Sequence, residues 1–399
     1  MKKKVLAIAP FLLGDKTASG GAAVALTFLK SIASKFDLYV VAFDESPGSA
    51  ESQDAVKDML LWAAEVRPVP LTISSLSRFK GRALQALLIP QIVTWLRTSL
   101  FENACREILK AQSIDLAIVQ FPQMAQYVEE CGQVPAIMDT IDVQSVSAFR
   151  RFSSAKSLLK RISSGLDWFC WIRYERRYYP RFRHLLSISE QDKYGLTLFN
   201  PELKVTTIPR LLNIARVALA DPPEFQIGFV GSFAHEPNVI GLKFFLSEVL
   251  PLLVAQLPDL RVQIAGKNPP QDLVRQAPAC VHFAGFVPNI EDFYRQTMVV
   301  VAPLLSGGGV KIKVLEALLA GRPVVATSIG AEGMGLTHGV NILIADNAHS
   351  FATAIVTLLT NPALRAELSE AGHRHALATG GAQNHAQLLD GIFDSVLKS

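Results

Sequence analysis

Cysteine is scarce in this sequence. Cys105, Cys131, Cys170 and Cys280 are spread over 399 residues, and none belongs to a C-x-x-C pair. That spacing argues against a disulfide framework or a zinc site, and leaves reduced, buried thiols of a cytosolic protein as the expectation. Long apolar runs are also missing. No stretch reaches the ~18 uninterrupted apolar residues of a membrane-spanning helix, and the largely apolar segments 244–257 and 298–305 are shorter. Charge of one sign is not in excess, since 39 Lys and Arg face 35 Asp and Glu for a net +4. The whole-chain charge therefore says little about partners, and its placement matters more. There is no repeat and no low-complexity tract. No Ser-His-Asp order, H-E-x-x-H signature or suitably placed D-x-D motif is found, and no obligatory metal is expected. A dinucleotide oxidoreductase lacks its G-x-G-x-x-G after the first strand and the acid at the expected offset.

What is present is an α/β rhythm in a chain half of whose residues are apolar, a composition that suits large cores and argues against disorder. Lys2, Lys3 and Lys4 before the apolar run 5–13 have the outline of a signal peptide. Pro10 interrupts that run, and Asp15 and Lys16 follow at once. A buried strand over 4–9, followed by the turn Ser19-Gly20-Gly21, accounts for more of the segment. A helix over 22–35 and a strand over 37–43 come next, and strand–helix–strand order implies a parallel sheet. Further strands are expected over 116–120, 136–139, 185–189 and 205–208. A long helical region spans 76–112 and carries Arg78, Lys80, Arg82 and Arg97.

Residues 213–225, with Pro222-Pro223, read as a linker, after which the α/β pattern starts again. Strands are expected over 226–230, 261–265, 281–283, 298–302 and 323–326. Helices are expected over 238–256, 310–320, 347–360, 362–377 and 382–397. The predicted organisation is an N-terminal Rossmann-like domain (1–212), a linker (213–225), a C-terminal Rossmann-like domain (226–380) and a last helix (381–399) packing back on the N-domain. Open α/β sheets bind ligands beyond the carboxyl ends of their strands, so two parallel sheets are expected to face a central cleft.

Residues 303–330 concentrate the chemistry. A strand ends near Pro303, and Gly307, Gly308 and Gly309 precede a helix. Glycines let backbone N–H groups approach a ligand, and a helix N-terminus favours an anion. Lys311 and Lys313 stand in the first turn, where cations oppose the helix dipole unless an anion neutralises them. Such local conflict marks functional sites. Glu316 shares a helical face with Lys313. As plain structure, the same residues would be a glycine turn and a solvated lysine face.

This segment resembles the donor-binding motif of family-4 glycosyltransferases, which have the GT-B fold, in the branch with a G-G-G-x-K-x-K-x-x-E loop. The resemblance is strong over about 225–380 and patchy before it. It implies that the donor diphosphate lies on Gly307, Gly308, Gly309 and Val310, that Lys311 and Lys313 neutralise it, and that Glu316 binds the ribose hydroxyls. Gly330-Ala331-Glu332-Gly333 matches the family's G-x-E-G, which makes Glu332 a donor contact. F-V-G-S-F-A-H-E-P-N (229–238) looks like the first C-domain turn, which brings in Gly231, Ser232 and His235. Gly20 and Gly21 resemble the N-domain loop facing the donor phosphates. D-T-I-D-V (139–143) resembles a D-x-H-D segment, which makes Asp142 a catalytic candidate beside Glu316.

Three departures stand out. Gly308 occupies the place of a second glutamate eight residues before Glu316, Ile141 replaces the usual histidine, and His235 and Asn238 stand where Arg and Lys are usual. The implied activity is a metal-independent, retaining transfer from a nucleotide diphosphate sugar, with no further cofactor, to a glycan or lipid-linked acceptor in surface polysaccharide or glycolipid assembly. The implied location is the cytoplasm, at the inner face of a membrane. Two rivals share the fold: a nucleotide-sugar epimerase or hydrolase, and a non-catalytic homologue that binds nucleotide or glycan.

By the residues alone, Asp142 either stabilises charge or caps the next turn, and His235 either touches the donor or is a plain loop residue. His282 reads as a packed strand residue. Residues 150–183 hold ten Lys or Arg against Asp167 and Glu175, interleaved with aromatics. They form either a patch for an anionic membrane or acceptor, or a covering helix with a charged outer face. No nucleic-acid fold signature accompanies them, so no nucleic-acid partner is expected.

Overall fold

A computed structural model describes residues 2–14, 20–71, 89–155, 157–208, 212, 214–220, 225–380 and 382–398. The chain divides into two compact units, Met1–Leu211 with Ala382–Ser399, and Leu212–Gly381.

The first unit is built on a seven-stranded sheet in the order β3-β2-β1-β4-β5-β6-β7. Its strands are β1 (Lys4–Ala9), β2 (Asp37–Asp44), β3 (Glu65–Pro70), β4 (Leu116–Gln120), β5 (Ala136–Asp139), β6 (His184–Ser187) and β7 (Val205–Thr207). Every pairing is parallel. β1 lies between β2 and β4, and five of its six residues are buried, as a strand covered on both faces requires. The second unit repeats the plan with β8 (Phe225–Val230), β9 (Val262–Ala265), β10 (Val281–Gly285), β11 (Thr297–Ala302), β12 (Val324–Ala326) and β13 (Leu343–Ile344), ordered β10-β9-β8-β11-β12-β13. In each sheet the order reverses beside the unit's first strand, at β1/β4 and at β8/β11, and ligands bind at such switch points in open parallel sheets.

The expected strands form, with ends displaced by one or two residues. β3 and β13 were not expected. β3 reads E-V-R-P-V-P, and its prolines fit only because it lies at the sheet edge. The expected long helix over 76–112 is corrected where it is described. Two helices, Gln91–Trp95 and Ser99–Ala111, are separated by a break, and Thr98 caps the second by accepting from the Phe101 N–H. Arg78, Lys80 and Arg82 lie outside the described residues, as do Ser19 and Pro222-Pro223. Linker residues 214–220 lie along the second unit, where the Val217 N–H donates to Ala320 O and the Ala220 N–H to Arg295 O. In the first unit the last helix, Ala382–Lys398, meets the end of the first helical segment through Lys35–Asp390 at 2.6 Å and the Phe36–Phe393 ring pair. All four cysteines are free thiols, and only Cys280 is not fully buried.

A helical run over 236–254 follows β8. Its composition would suit a membrane span, yet Leu242, Phe245, Val249 and Leu253 are buried in the second unit's core. Its middle turn, Phe245–Val249, is π-helical. Pro251 follows and cannot donate to a carbonyl one turn back, and the wider turn accommodates that loss. Near the start of the run a Cβ on Gly241 would stand 2.7 Å from Pro303 O, so the helix touches the exit of β11 through a bare backbone.

In the first unit, Glu175 is buried under the N-terminus of the helix Gln144–Ser154 and accepts the Ser145 N–H at 3.0 Å. Burial pushes its carboxyl up to about 7, and Asp142 nearby adds to the rise.

Two outcomes are expected. Gly241→Ala gains about 1 kcal/mol of helix propensity but loses about 1–3 kcal/mol by overpacking against an unyielding carbonyl. Its melting temperature should therefore fall, and a value at or above wild type would show that the helix can leave Pro303 without cost. Glu175 holds its proton in the folded state at pH values where the unfolded chain has released it. Stability should decline from about pH 4.5 to 7, by an amount on the order of 3 kcal/mol. Glu175→Gln keeps an acceptor for Ser145 and should flatten that decline in denaturant titrations; an unchanged slope would assign it to other groups.

Candidate functional site

The residues singled out in the second unit meet at the β8/β11 switch point. Gly231 leaves β8 with its N–H on Ala265 O at 3.0 Å. A Cβ on Gly266, just beyond β9, would stand 1.9 Å from Gly231 O, so these backbones can touch only because Gly266 has no side chain. On the other side of the switch point, Thr327 Oγ1 donates to Leu304 O at 2.6 Å and accepts the Gly330 N–H at 3.0 Å, which pins the β11 exit to the β12 exit. The loop then turns through Gly307 (φ 110°) and Gly309 (φ 65°), left-handed conformations that favour glycine. Gly308 and half-buried Val310 complete it, and the helix Ile312–Leu319 follows with Lys311 at its N-cap position.

Both lysines fold inward instead of forming a solvated face. Lys311 is buried, and its Nζ donates to Gly308 O at 2.9 Å and Gly309 O at 2.5 Å, closing the loop on itself. The same ammonium lies 3.8 Å from the Glu332 carboxylate. Lys313 Nζ donates to Asn238 Oδ1 at 2.5 Å and lies over the Phe229 ring at 4.8 Å. Asn238 is fixed in turn by its amide on Ser232 O at 2.8 Å. Burial lowers the Lys313 ammonium to about 7, with Lys311 adding to the fall and Glu316 opposing it. Burial raises Glu316 to about 6 against the counter-pull of Tyr294 and Lys313. The Tyr294 hydroxyl stands 3.5 Å from Glu316 Oε2. A glycine loop, two inward ammoniums and a half-buried carboxylate in the first turns of a helix can hold a polyanion that also presents hydroxyls.

Gly231, Ser232, Gly307, Gly308, Gly309, Val310, Lys311, Lys313, Glu316 and Glu332 thus belong to one linked arrangement. His235 lies at its edge, exposed at the N-cap position of Glu236–Phe244 with no side-chain cap bond. Tyr294 and Phe229 were missed. Tyr294 comes from the helix Ile290–Gln296, which no motif flagged, and Phe229 reads as an ordinary core strand residue. His282 does lie in β10, but it is exposed there and not packed.

In the first unit, Gly20 and Gly21 open the helix Gly20–Ala33 after β1, and Gly21 faces the Phe121 ring of the β4 exit. Asp142 follows β5 and is half-buried. It accepts the Val143 N–H at 2.8 Å, the Gln144 amide at 3.0 Å and the Ser147 hydroxyl at 3.2 Å. These are the contacts of a turn-anchoring carboxylate. Ile141 before it is held at φ 54°, a strained conformation for a β-branched residue. Among the described residues no group of three or more His, Cys, Asp or Glu is placed to hold a metal ion.

The Glycosyl transferases group 1 family matches residues 224–361. An uncharacterised 44.6 kDa protein in the cps region of Klebsiella pneumoniae is 32% identical over 144 residues, covering 33% of this chain and 37% of that protein. A phosphatidyl-myo-inositol mannosyltransferase of Mycolicibacterium smegmatis is 31% identical over 166 residues, covering 39% and 42%. The match thus spans about two fifths of the length of these relatives. Among solved structures, Anabaena Alr3699/HepE in complex with UDP and glucose superposes with a TM-score of 0.68 at 14% identity, over 98% of this chain and all of that one. The arrangement around Lys311, Lys313 and Glu316 therefore lies within the stretch that matches the Glycosyl transferases group 1 family, in a chain with the two-domain α/β fold of the GT-B glycosyltransferases.

Proposed function

We propose that the protein is a glycosyltransferase that moves a sugar from a nucleotide diphosphate donor to an acceptor hydroxyl, with residues 303–332 as the diphosphate site. The observation that carries this reading is the inward-facing lysine pair at the glycine loop. Burying an ammonium is costly unless an opposite charge compensates it, and Lys313 meets that cost by losing its proton near neutrality. A diphosphate supplies the missing charge. Its oxygens would take Lys313, Lys311 and the loop N–H groups, while Glu316 would accept from the ribose hydroxyls.

During transfer the bond between the anomeric carbon and the diphosphate oxygen breaks, and a bond to the acceptor oxygen forms on the same face of the sugar. The acceptor proton passes to the departing diphosphate. Charge on that leaving group is met by the lysines and the helix N-terminus, so no metal is assigned a role. Asp142 is assigned to the reacting sugar on the acceptor side. The UDP and glucose named with HepE and the mannosyltransferase activity named for the mycobacterial relative support the donor class. The phosphatidyl-myo-inositol in the mycobacterial relative's name supports a lipid-linked or glycan acceptor, in surface polysaccharide or glycolipid assembly.

Calorimetric titration with UDP, GDP, ADP and TDP in the presence of EDTA tests the reading. One diphosphate should bind selectively, and Lys313→Gln and Glu316→Ala should each weaken it by about tenfold to a hundredfold, as for a lost charged hydrogen bond. Binding an anion raises the Lys313 pKa from about 7, so complex formation near pH 8 should take up protons and affinity should fall as pH rises through 7. Repeating the titration in buffers of different ionisation enthalpy measures that uptake, which Lys313→Gln should abolish. A folded protein that binds none of the four diphosphates would sink the proposal. With an acceptor in hand, proton NMR of the product should show retained anomeric configuration, and Asp142→Asn should lower kcat without weakening donor binding. An inverted product would remove the same-face mechanism.

A further inference from the structure

The helix Leu158–Tyr178 does not sort its residues as a surface helix should. Its inner side buries Cys170, Trp171, Tyr174, Glu175 and Tyr178 in the first unit. At 3.6 residues per turn, Leu158, Leu159, Ile162, Leu166 and Phe169 gather on the opposite side. They are 73%, 81%, 62%, 38% and 53% exposed. Three turns of the outer face are therefore a continuous apolar stripe where a solvated helix would be polar. Exposed patches of this kind mark interaction surfaces.

The charge around the stripe has one sign. Arg173, Arg176 and Arg177 continue the same face in the last turns and are exposed, and exposed Arg161 borders its beginning. The acids of the helix do not balance them. Asp167 is engaged with Arg151 at 2.9 Å, and Glu175 is buried beneath Ser145. Glu129 of a neighbouring segment pairs with Arg181 and reaches only Arg177 among these cations. Among the described residues Arg173 and Arg176 have no ion-pair partner.

We propose that this face is a docking surface for an anionic lipid bilayer. Leu158, Leu159, Ile162, Leu166 and Phe169 enter the boundary between headgroups and acyl chains. Arg161, Arg173, Arg176 and Arg177 around them lie against lipid phosphates. Charge complementarity selects this occupant over a second copy of the chain. Two such faces pressed together would set like cations against one another with no acid on the face to offset them. A bilayer accepts the apolar stripe and the cations together.

The full chain tests this by co-sedimentation with vesicles of phosphatidylcholine alone and of phosphatidylcholine mixed with phosphatidylglycerol. Binding should favour the mixed vesicles and weaken at high salt. Leu159→Asp with Ile162→Asp should reduce it by at least about tenfold while leaving the circular-dichroism melt unchanged, because both side chains face solvent. Arg173→Glu with Arg176→Glu should remove the preference for the anionic lipid. Phe169→Trp should show a blue-shifted emission on the mixed vesicles. Absence of binding to the mixed vesicles, binding untouched by the double aspartate variant, or an unshifted tryptophan would each overturn the proposal. So would light scattering that shows a dimer broken by Ile162→Asp, which would give the face to a second copy.

Discussion

Close approach of bare backbone at the strand exits is the constraint on which the candidate site depends. Gly266 leaves no room for a side chain over the Gly231 carbonyl, Gly241 leaves none over Pro303, and Gly330 leaves none over Ala302. These three contacts bring the β8, β9, β11 and β12 exits together. Together with Thr327 they fix where the loop 303–311 starts, and so where the helix after it points its first N–H groups. A side chain at any of the three would have to displace backbone, which yields far less readily than the end of a flexible side chain.

Desolvation is the second constraint, and it opposes the first. A packed switch point removes water from Lys313 and Glu316, which lowers one pKa and raises the other. Their mutual attraction recovers part of that cost, and Asn238 and Tyr294 supply neutral partners for the remainder. The arrangement is stable enough to form, yet its ammonium is left near its titration point. A fully paired lysine would have little to gain from an arriving anion. One with a neutral amide on its nitrogen gains a compensating charge. Lys311 is held differently, through the carbonyls of its own loop and Glu332, and acts first as a clasp on the loop's shape.

Much of the fold could be read from the sequence, because buried parallel strands leave short apolar runs that few other structures share. The 116–120 and 136–139 runs are the clearest cases. β3 was hidden by its prolines, which only an edge strand tolerates, and β13 by its length of two residues. The glycines and lysines of the loop were legible because they break local rules together: φ above zero, and cations at a helix start. Tyr294, Phe229 and Glu175 were not, since each looks locally like an ordinary helix or strand residue. Their significance comes from partners far along the chain, Glu316, Lys313 and Ser145 respectively.

The block 150–183 shows where composition fails and geometry is needed. Its cations and aromatics were evident, and both a membrane patch and a covering helix were consistent with them. Periodicity could not separate the two, because the helix Leu158–Tyr178 is apolar on opposite sides and so has almost no net direction along its sequence. Burial resolves the two stripes: Trp171, Tyr174 and Tyr178 belong to the core, while Leu159 and Ile162 stay mostly exposed to water. A helix that served only to cover the sheet would need the first stripe and gain nothing from the second. Keeping five apolar side chains in water beside cations without ion-pair partners disfavours the isolated chain at no benefit to its fold, and the expense makes physical sense only where a surface outside the protein takes them up.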